Sequence, residues 1–271
     1  MTQLQGRLLV SERNGLKVHS YISPAASFFV NTQCVELSDR LVVIDAQFLT
    51  PCAMEARQAF EAIGKPIDRV IVTHGHPDHW FGLSHFADRP IHALAGVTDM
   101  IRTVGAALRA QYHANMGALV DSHHVVPQVE IAPGQEIIAG VRFVYEEIPG
   151  AEAGLQLLIR LPDHGIVIGQ DFFYHDVHLY LETLEFDSWI AVLQQLILDH
   201  GSDLVLCGHG APGPLTPIAE KNLSYLRFAR ELCKKEMAIS ELKEQLLREF
   251  PDLTGENIID LWTRLAFAAR S

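Results

Sequence analysis

Residues 70–79 read Val-Ile-Val-Thr-His-Gly-His-Pro-Asp-His, so a short apolar run ends in three histidines and an aspartate within six positions. Imidazole and carboxylate side chains are common nitrogen and oxygen donors for zinc, manganese and iron. One strand end cannot surround an ion. Donors this dense at the end of a strand point to a metal site completed by residues elsewhere in the chain. A scatter of exposed histidines is the plainer alternative. Two later segments weigh against it: Gly169-Gln170-Asp171 and Cys207-Gly208-His209-Gly210 each follow an apolar run and add one more donor.

The sequence around these donors alternates between strand and helix patterns. Residues 17–22, 28–37 and 40–46 read as strands, with Asn14-Gly15, Ser23-Pro24 and Ser38-Asp39 as turns. Residues 53–63 have helical composition and stop at Gly64, with Pro66 just beyond. A buried strand over 68–73 delivers the histidines, and 91–94 is another. A helix is predicted over 97–116, with Ile101, Val104 and Leu108 on one face. Strands follow over 141–148, 155–161 and 165–169, then a helix from about Asp187 and a last strand over 203–207. From Pro217 the strand signals fade and leucines interleave with charges, as in two or three amphipathic helices. The chain thus divides into a main domain, residues 1–216, and a helical extension, residues 217–271. The extension either packs on the main domain or serves as a lid or homodimer surface. Periodicity alone supports α/β or α+β and nothing finer.

Charge narrows the partners. With 33 acidic against 21 basic residues the net charge is −12, a poor match for phosphate backbones or anionic membranes. A small-molecule substrate is expected, with neither nucleic acid nor membrane as partner. No apolar run approaches the roughly 18–20 residues of a membrane span. Residues 1–10 lack the basic-then-apolar pattern of a secretion signal. Cys34, Cys52, Cys207 and Cys233 form no CxxC pair, which suits free thiols in a reducing cytoplasm. Cys207, two residues before His209, reads as a small core residue on a strand rather than a soft ligand.

Taken together, His74-x-His76-x-Asp78-His79, Asp171 and His209 resemble the HxHxDH pattern of the metallo-β-lactamase superfamily over residues 17–210. The resemblance implies an α+β fold, an αββα sandwich of two mixed sheets flanked by helices. It implies a first metal on His74 and His76, a second on Asp78, His79 and His209, and Asp171 bridging the two. One or two Zn2+ ions are expected, with Mn2+ or Fe2+ as alternatives. The pattern breaks at one place. Where the family has a further histidine for the first metal, this chain reads Pro149-Gly150-Ala151-Glu152, and the position is Ala151. Glu152 or His178 could fill the gap, or the first site is incomplete. On this reading Ala151→His would restore zinc affinity. Asp45 falls where such proteins often have an acid that orients a ligand histidine.

The same resemblance implies a hydrolase in which a metal-activated water attacks a small ester, lactone, thioester or amide. Asp78 would orient that water and take part in proton transfer. Tyr174 and His178, close after Asp171, are candidate donors to a developing oxyanion. Two other classes stay open: a mononuclear iron oxygenase acting on a thiol or persulfide, and a metal-binding family member without hydrolytic activity.

Overall fold

Seven strands in chain order form the first sheet of the computed structural model, which describes residues 4–267. They are β1 (Arg7–Arg13), β2 (Leu16–Ile22), β3 (Asn31–Glu36), β4 (Leu41–Ile44), β5 (Ile67–Val72), β6 (Ile91–Leu94) and β7 (Val129–Ile131). β1 to β4 pair antiparallel through short turns, whereas β4 to β7 pair parallel. Parallel neighbours need crossover connections. Here these contain α1 (Thr50–Glu61), the short α2 (Pro77–Trp80) and α3 (Ala95–Met116).

The second sheet holds β8 (Gly134–Ile138), β9 (Val141–Pro149), β10 (Leu155–Leu161), β11 (Ile166–Tyr174), β12 (Leu204–His209) and β13 (Gly213–Pro214). β8 to β11 are antiparallel, and β11 and β12 are parallel across the crossover helix α4 (Phe186–His200). Two mixed sheets thus face each other with helices outside, an α+β sandwich as the resemblance implies. Val18, Val42, Val43 and Ile71 share one apolar core with Phe143, Leu157 and Ile159 of the second sheet.

The chain ends in α5 (Leu215–Cys233), α6 (Ile239–Glu249) and α7 (Glu256–Ala266). Helices of 11 residues, such as α6 and α7, are marginal alone in water, so packing must hold them. Leu242, Leu246, Ile259 and Trp262 are buried in a second apolar cluster with Phe172, Phe173 and Leu193 of β11 and α4. Among the described residues no helix is long and apolar enough to cross a membrane.

The sheets are joined where the strand ends meet. The Leu157 amide donates to the Thr73 carbonyl at 2.8 Å, and Val30 bridges to His209. Asn31 and Gln33 of β3 each donate a side-chain amide to the Cys207 carbonyl. Cys207 itself is buried and free, a core residue as expected. These contacts tie β5 to β10 and β3 to β12 at the edge where the donors gather.

Candidate metal centre

β5 stops at Val72 and the chain turns into α2, whose first turn carries Asp78 and His79. Pro77 suits this first helical position, because its missing N–H would lack an intrahelical partner there anyway. Trp80 donates its indole N–H to the Gly75 carbonyl at 2.9 Å. Arg109 of α3, buried, donates to the Phe81 carbonyl at 2.6 Å and lies 4.6 Å from the Phe81 ring centroid. Burial pushes that guanidinium down to about 10. The histidine turn is therefore fixed from behind by a cation with little freedom.

Seven donor side chains converge in two groups. His74, His76, Glu152 and Asp171 form one, and Asp78, His79 and His209 the other. Within each group the donor atoms all lie within 4.8 Å of one another. Asp171 links the two: its Oδ1 is 3.1 Å from His79 Nε2, and its Oδ2 is 3.2 Å from His209 Nε2 and 3.8 Å from His74 Nε2. Asp78 Oδ2 lies 3.4 Å from His209 Nε2 and 3.6 Å from His79 Nε2.

The donor atoms suit a cation. His74 Nε2, His79 Nε2, both Glu152 oxygens and Asp171 Oδ1 are buried without a hydrogen-bond donor or acceptor satisfying them, although ion-pair distances separate them. Buried polar atoms are seldom left so. The far ring nitrogens are occupied. His79 Nδ1 meets Asp45 at 2.7 Å and His209 Nδ1 donates to the Phe28 carbonyl at 2.7 Å, turning each Nε2 inward. Asp45, at φ 63°, also accepts from the Thr73 amide and hydroxyl and from the Gln170 side chain. It is the orienting acid expected from the sequence.

Glu152 enters from a tight turn. Gly150 and Ala151 both take left-handed φ values, 76° and 71°, and the Gly150 amide donates to the Gly154 carbonyl. Ser188 and Thr183 hold the Ala151 backbone at 3.1 and 2.8 Å. As a result Glu152 is fully buried, with Oε1 2.9 Å from His76 Nδ1 and Oε2 3.7 Å from His74 Nε2. Ala151 belongs instead to the apolar cluster around Phe172 and Leu158. The expectation that Ala151→His restores a ligand is therefore corrected: the new ring would enter apolar packing from a left-handed backbone.

His178 stands elsewhere. Its amide donates to the Thr254 carbonyl, and its Nδ1 meets the Tyr225 hydroxyl at 3.2 Å. Burial pushes its pKa down to about 4. It belongs to neither donor group and lines no part of the cavity over them, so the structure corrects both its metal and its oxyanion assignments. Tyr174 does face the site, but its hydroxyl donates to Asp171 Oδ2 at 2.9 Å and its ring stacks on His209 at 4.7 Å. That places it as a support of Asp171.

Sequence reasoning missed the amides behind the site. Gln170, at φ 40°, lies where β11 slips register against β12, a bulge that aims Asp171 inward. Gln170 Oε1 accepts from the Gln33 side-chain amide, and Gln33 Oε1 accepts from the Ser20 hydroxyl. A polar residue on a strand gives no periodic signal, so nothing in the sequence marks this row.

A cavity of about 200 Å³ opens over the donors, with His76, Asp78, Glu152, Asp171, Tyr174 and His209 in its floor. Phe28, Phe48, Tyr112 and Met116 form one wall, and Ile258, Leu261 and Leu265 of α7 form the other.

The sequence profile of the metallo-beta-lactamase superfamily matches residues 28–209, which span every donor named above. The chain belongs to this superfamily. Its fold is similar to that of a metallo-beta-lactamase from Pontibacter korlensis, with a TM-score of 0.61, 16% identity, and coverage of 82% of this chain and 99% of that one. DIM-1 metallo-beta-lactamase is similar at a TM-score of 0.63 and 13% identity, covering 84% and 99%. The chain is also 25% identical over 224 residues to the Saccharomyces cerevisiae protein BDS1, described as an alkyl/aryl-sulfatase. That alignment covers 67% of this chain but 35% of BDS1, so the chain spans about a third of that relative's length.

The metal-free cluster holds protons that an ion must displace. Burial raises the Glu152 carboxyl to about 7, against the pull of His76. Burial alone would lower His76, but the Glu152 charge 2.9 Å away raises it to about 9. Both groups bind metal in the deprotonated form, so both raised values set protons against the ion. Apparent affinity should therefore climb with pH between about 6 and 9, by up to about tenfold per unit for each proton lost. Calorimetry at pH 7 in buffers of different ionisation enthalpy should show net proton release, reduced in Glu152→Gln together with the metal stoichiometry. Buffer-independent heats would refute this account.

Proposed function

We propose that this protein is a metal-dependent hydrolase that cleaves an ester of a hydrophobic group with water. The carrying observation is the pair of donor groups sharing Asp171 beneath an apolar cavity into which Asp78 is partly exposed. His74, His76, Glu152 and Asp171 would hold one divalent ion, and Asp78, His79, His209 and Asp171 a second, with Zn2+ the first candidate. Such ions bring Lewis acidity and lower the pKa of a bound water toward about 7.

The chain's own residues do the rest. Asp78 stands at the cavity floor, where it can orient the attacking water and accept its proton. The water oxygen joins the acyl carbon, the ester C–O bond breaks, and the leaving alkoxide takes up a proton to depart as alcohol. Tyr174 holds Asp171 in place through its hydroxyl. Aromatic and aliphatic walls exclude bulk water and favour an apolar substituent. Three carboxylates among seven donors make a harder site than an all-histidine first group would, so Mn2+ or Fe2+ would be accommodated too. A small-molecule substrate and no nucleic-acid or membrane partner remain accompanying proposals resting on the net charge of −12, and a cytoplasmic setting is proposed from the cysteines, which form no CxxC pair.

A second reading replaces the carboxylic ester by a sulfate ester, and the similarity to a yeast alkyl/aryl-sulfatase favours it. Both readings are tested by one panel of nitrophenyl carboxylates, thioesters, lactones and aryl sulfates in 18O-water, run beside a thiol and a persulfide, with oxygen uptake monitored. The hydrolytic reading expects turnover that is abolished by chelation, with one 18O atom in the released acid or sulfate in a single turnover. Oxygen uptake with a thiol or persulfide would instead establish an oxygenase. A metal-loaded protein inert to the whole panel would leave metal binding without hydrolysis.

A further inference from the structure

The cavity over the donors does not end at its own walls. His76, Pro77, Tyr112, Tyr180, Leu261 and Leu265 also line a second, larger cavity of about 910 Å³ between α3 and α7. Tyr180 stands at the junction, its ring 5.2 Å from that of His76 and its hydroxyl bonded to Glu182. Beyond this neck the inner wall is aliphatic, with Val97, Met100 and Leu108 from α3 and Leu155 from the start of β10. Polar side chains lie toward the solvent mouth, where Gln111, Asn115 and Arg264 are exposed.

We propose that this second cavity receives the linear aliphatic chain of the substrate whose ester group lies over Asp78 and Asp171, and that α7 sets the chain-length preference. The proposal rests on the hydrolytic reading above. Three features select the occupant. The cavity is continuous with the donor site through shared residues, so its occupant belongs to the same molecule. Its inner wall is aliphatic, with rings at the neck, which fits a flexible chain better than a planar group. Its mouth is polar, so a chain longer than the cavity emerges into water and gains nothing further.

Moving one methylene from water into such a wall is worth about fourfold in an equilibrium or rate constant. With nitrophenyl esters from acetate to decanoate, or the matching alkyl sulfates if those are the substrates, kcat/KM should rise by up to about fourfold per methylene and then level off. Leu265→Trp and Gln111→Trp narrow the cavity at exposed helical positions that carry little of the fold; Leu265 is 47% exposed. Each should lower the decanoate-to-butyrate ratio of kcat/KM by about tenfold. A flat chain-length profile, or equal loss on short and long esters in both variants, would overturn the proposal.

Binding of sodium decanoate, followed by calorimetry, separates this proposal from the hydrolytic one. If no ester is cleaved, yet decanoate binds with a negative heat-capacity change that both variants weaken, the cavity assignment stands and hydrolysis falls. If short esters are cleaved but decanoate binds no better than acetate, hydrolysis stands and the cavity assignment falls.

Discussion

Asp78→Asn is expected to lower kcat/KM on the best ester by about 10²–10⁴-fold, the range for a positioned proton-transfer group. The side chain is 18% exposed at the cavity floor, and its Oδ2 lies within 3.6 Å of two inward-facing histidine nitrogens. An amide keeps the shape and one acceptor but can neither balance the charge nor take up a proton. Metal analysis of the same preparation makes the result specific. With both ions retained, the loss belongs to proton handling; with one ion lost, to ligation. A fall of less than tenfold at full metal content would remove Asp78 from the mechanism.

The second large effect is expected from one methyl group. A Cβ on Gly208 would sit 1.7 Å from Asp171 Oδ1 and 2.8 Å from the Asp171 amide nitrogen. No real contact is that short, and the near atoms include backbone, so β11 and β12 must move apart or the carboxylate must swing away. Either change withdraws the one side chain shared by both donor groups. Gly208→Ala should lose metal from both groups and destabilise the metal-free fold by about 1–3 kcal/mol, the usual scale for overpacking. Atomic emission and thermal melts with and without zinc would check this. The wild type should gain melting temperature from zinc, since an ion bound to the folded state alone stabilises it, and the variant should gain far less. Wild-type metal content together with a wild-type melting temperature would contradict the packing argument.

Much of this site was legible in the sequence because its donors are local or follow strands. The run from His74 to His79 is contiguous, and Asp171 and His209 each lie at or near the end of an apolar strand. Asp45 was legible for the same reason. Strand and helix positions were also recovered closely where hydrophobic patterning was strong, as over β6 and β10. The stretch from Phe28 was misread as strand: Phe28 and Phe29 take left-handed φ values of 60° and 59°, and β3 begins only at Asn31. Large aromatic residues seldom adopt that backbone, so composition pointed the other way. The Phe28 carbonyl then meets His209, which gives the irregular turn a structural role. Glu152 was one of three open alternatives because a turn conformation decides which of two adjacent side chains faces inward. His178 was drawn in by closeness in sequence to Asp171. The strand ends between them, and the chain carries His178 to Thr254 and Tyr225 instead. The tail helices were legible as amphipathic, but their place on the cavity wall depends on contacts between residues far apart in the chain.

The joining of the two sheets at their donor edge has a consequence in time. His74 to His79 leave the ribosome long before Glu152, Asp171 and His209 are made. At about 5–20 residues per second the interval to His209 is roughly 7–27 seconds. Early in it, the nascent chain exposes three imidazoles and one carboxylate with β3 and Asp45 already made but with none of the contacts from β10 or β12. Complete ligation must wait until β12 has been synthesised and has docked beside β3. The finished fold, with Asp171 between both groups and the Phe28 carbonyl behind His209, then sets which ion is retained, whatever ion the emerging segment met first.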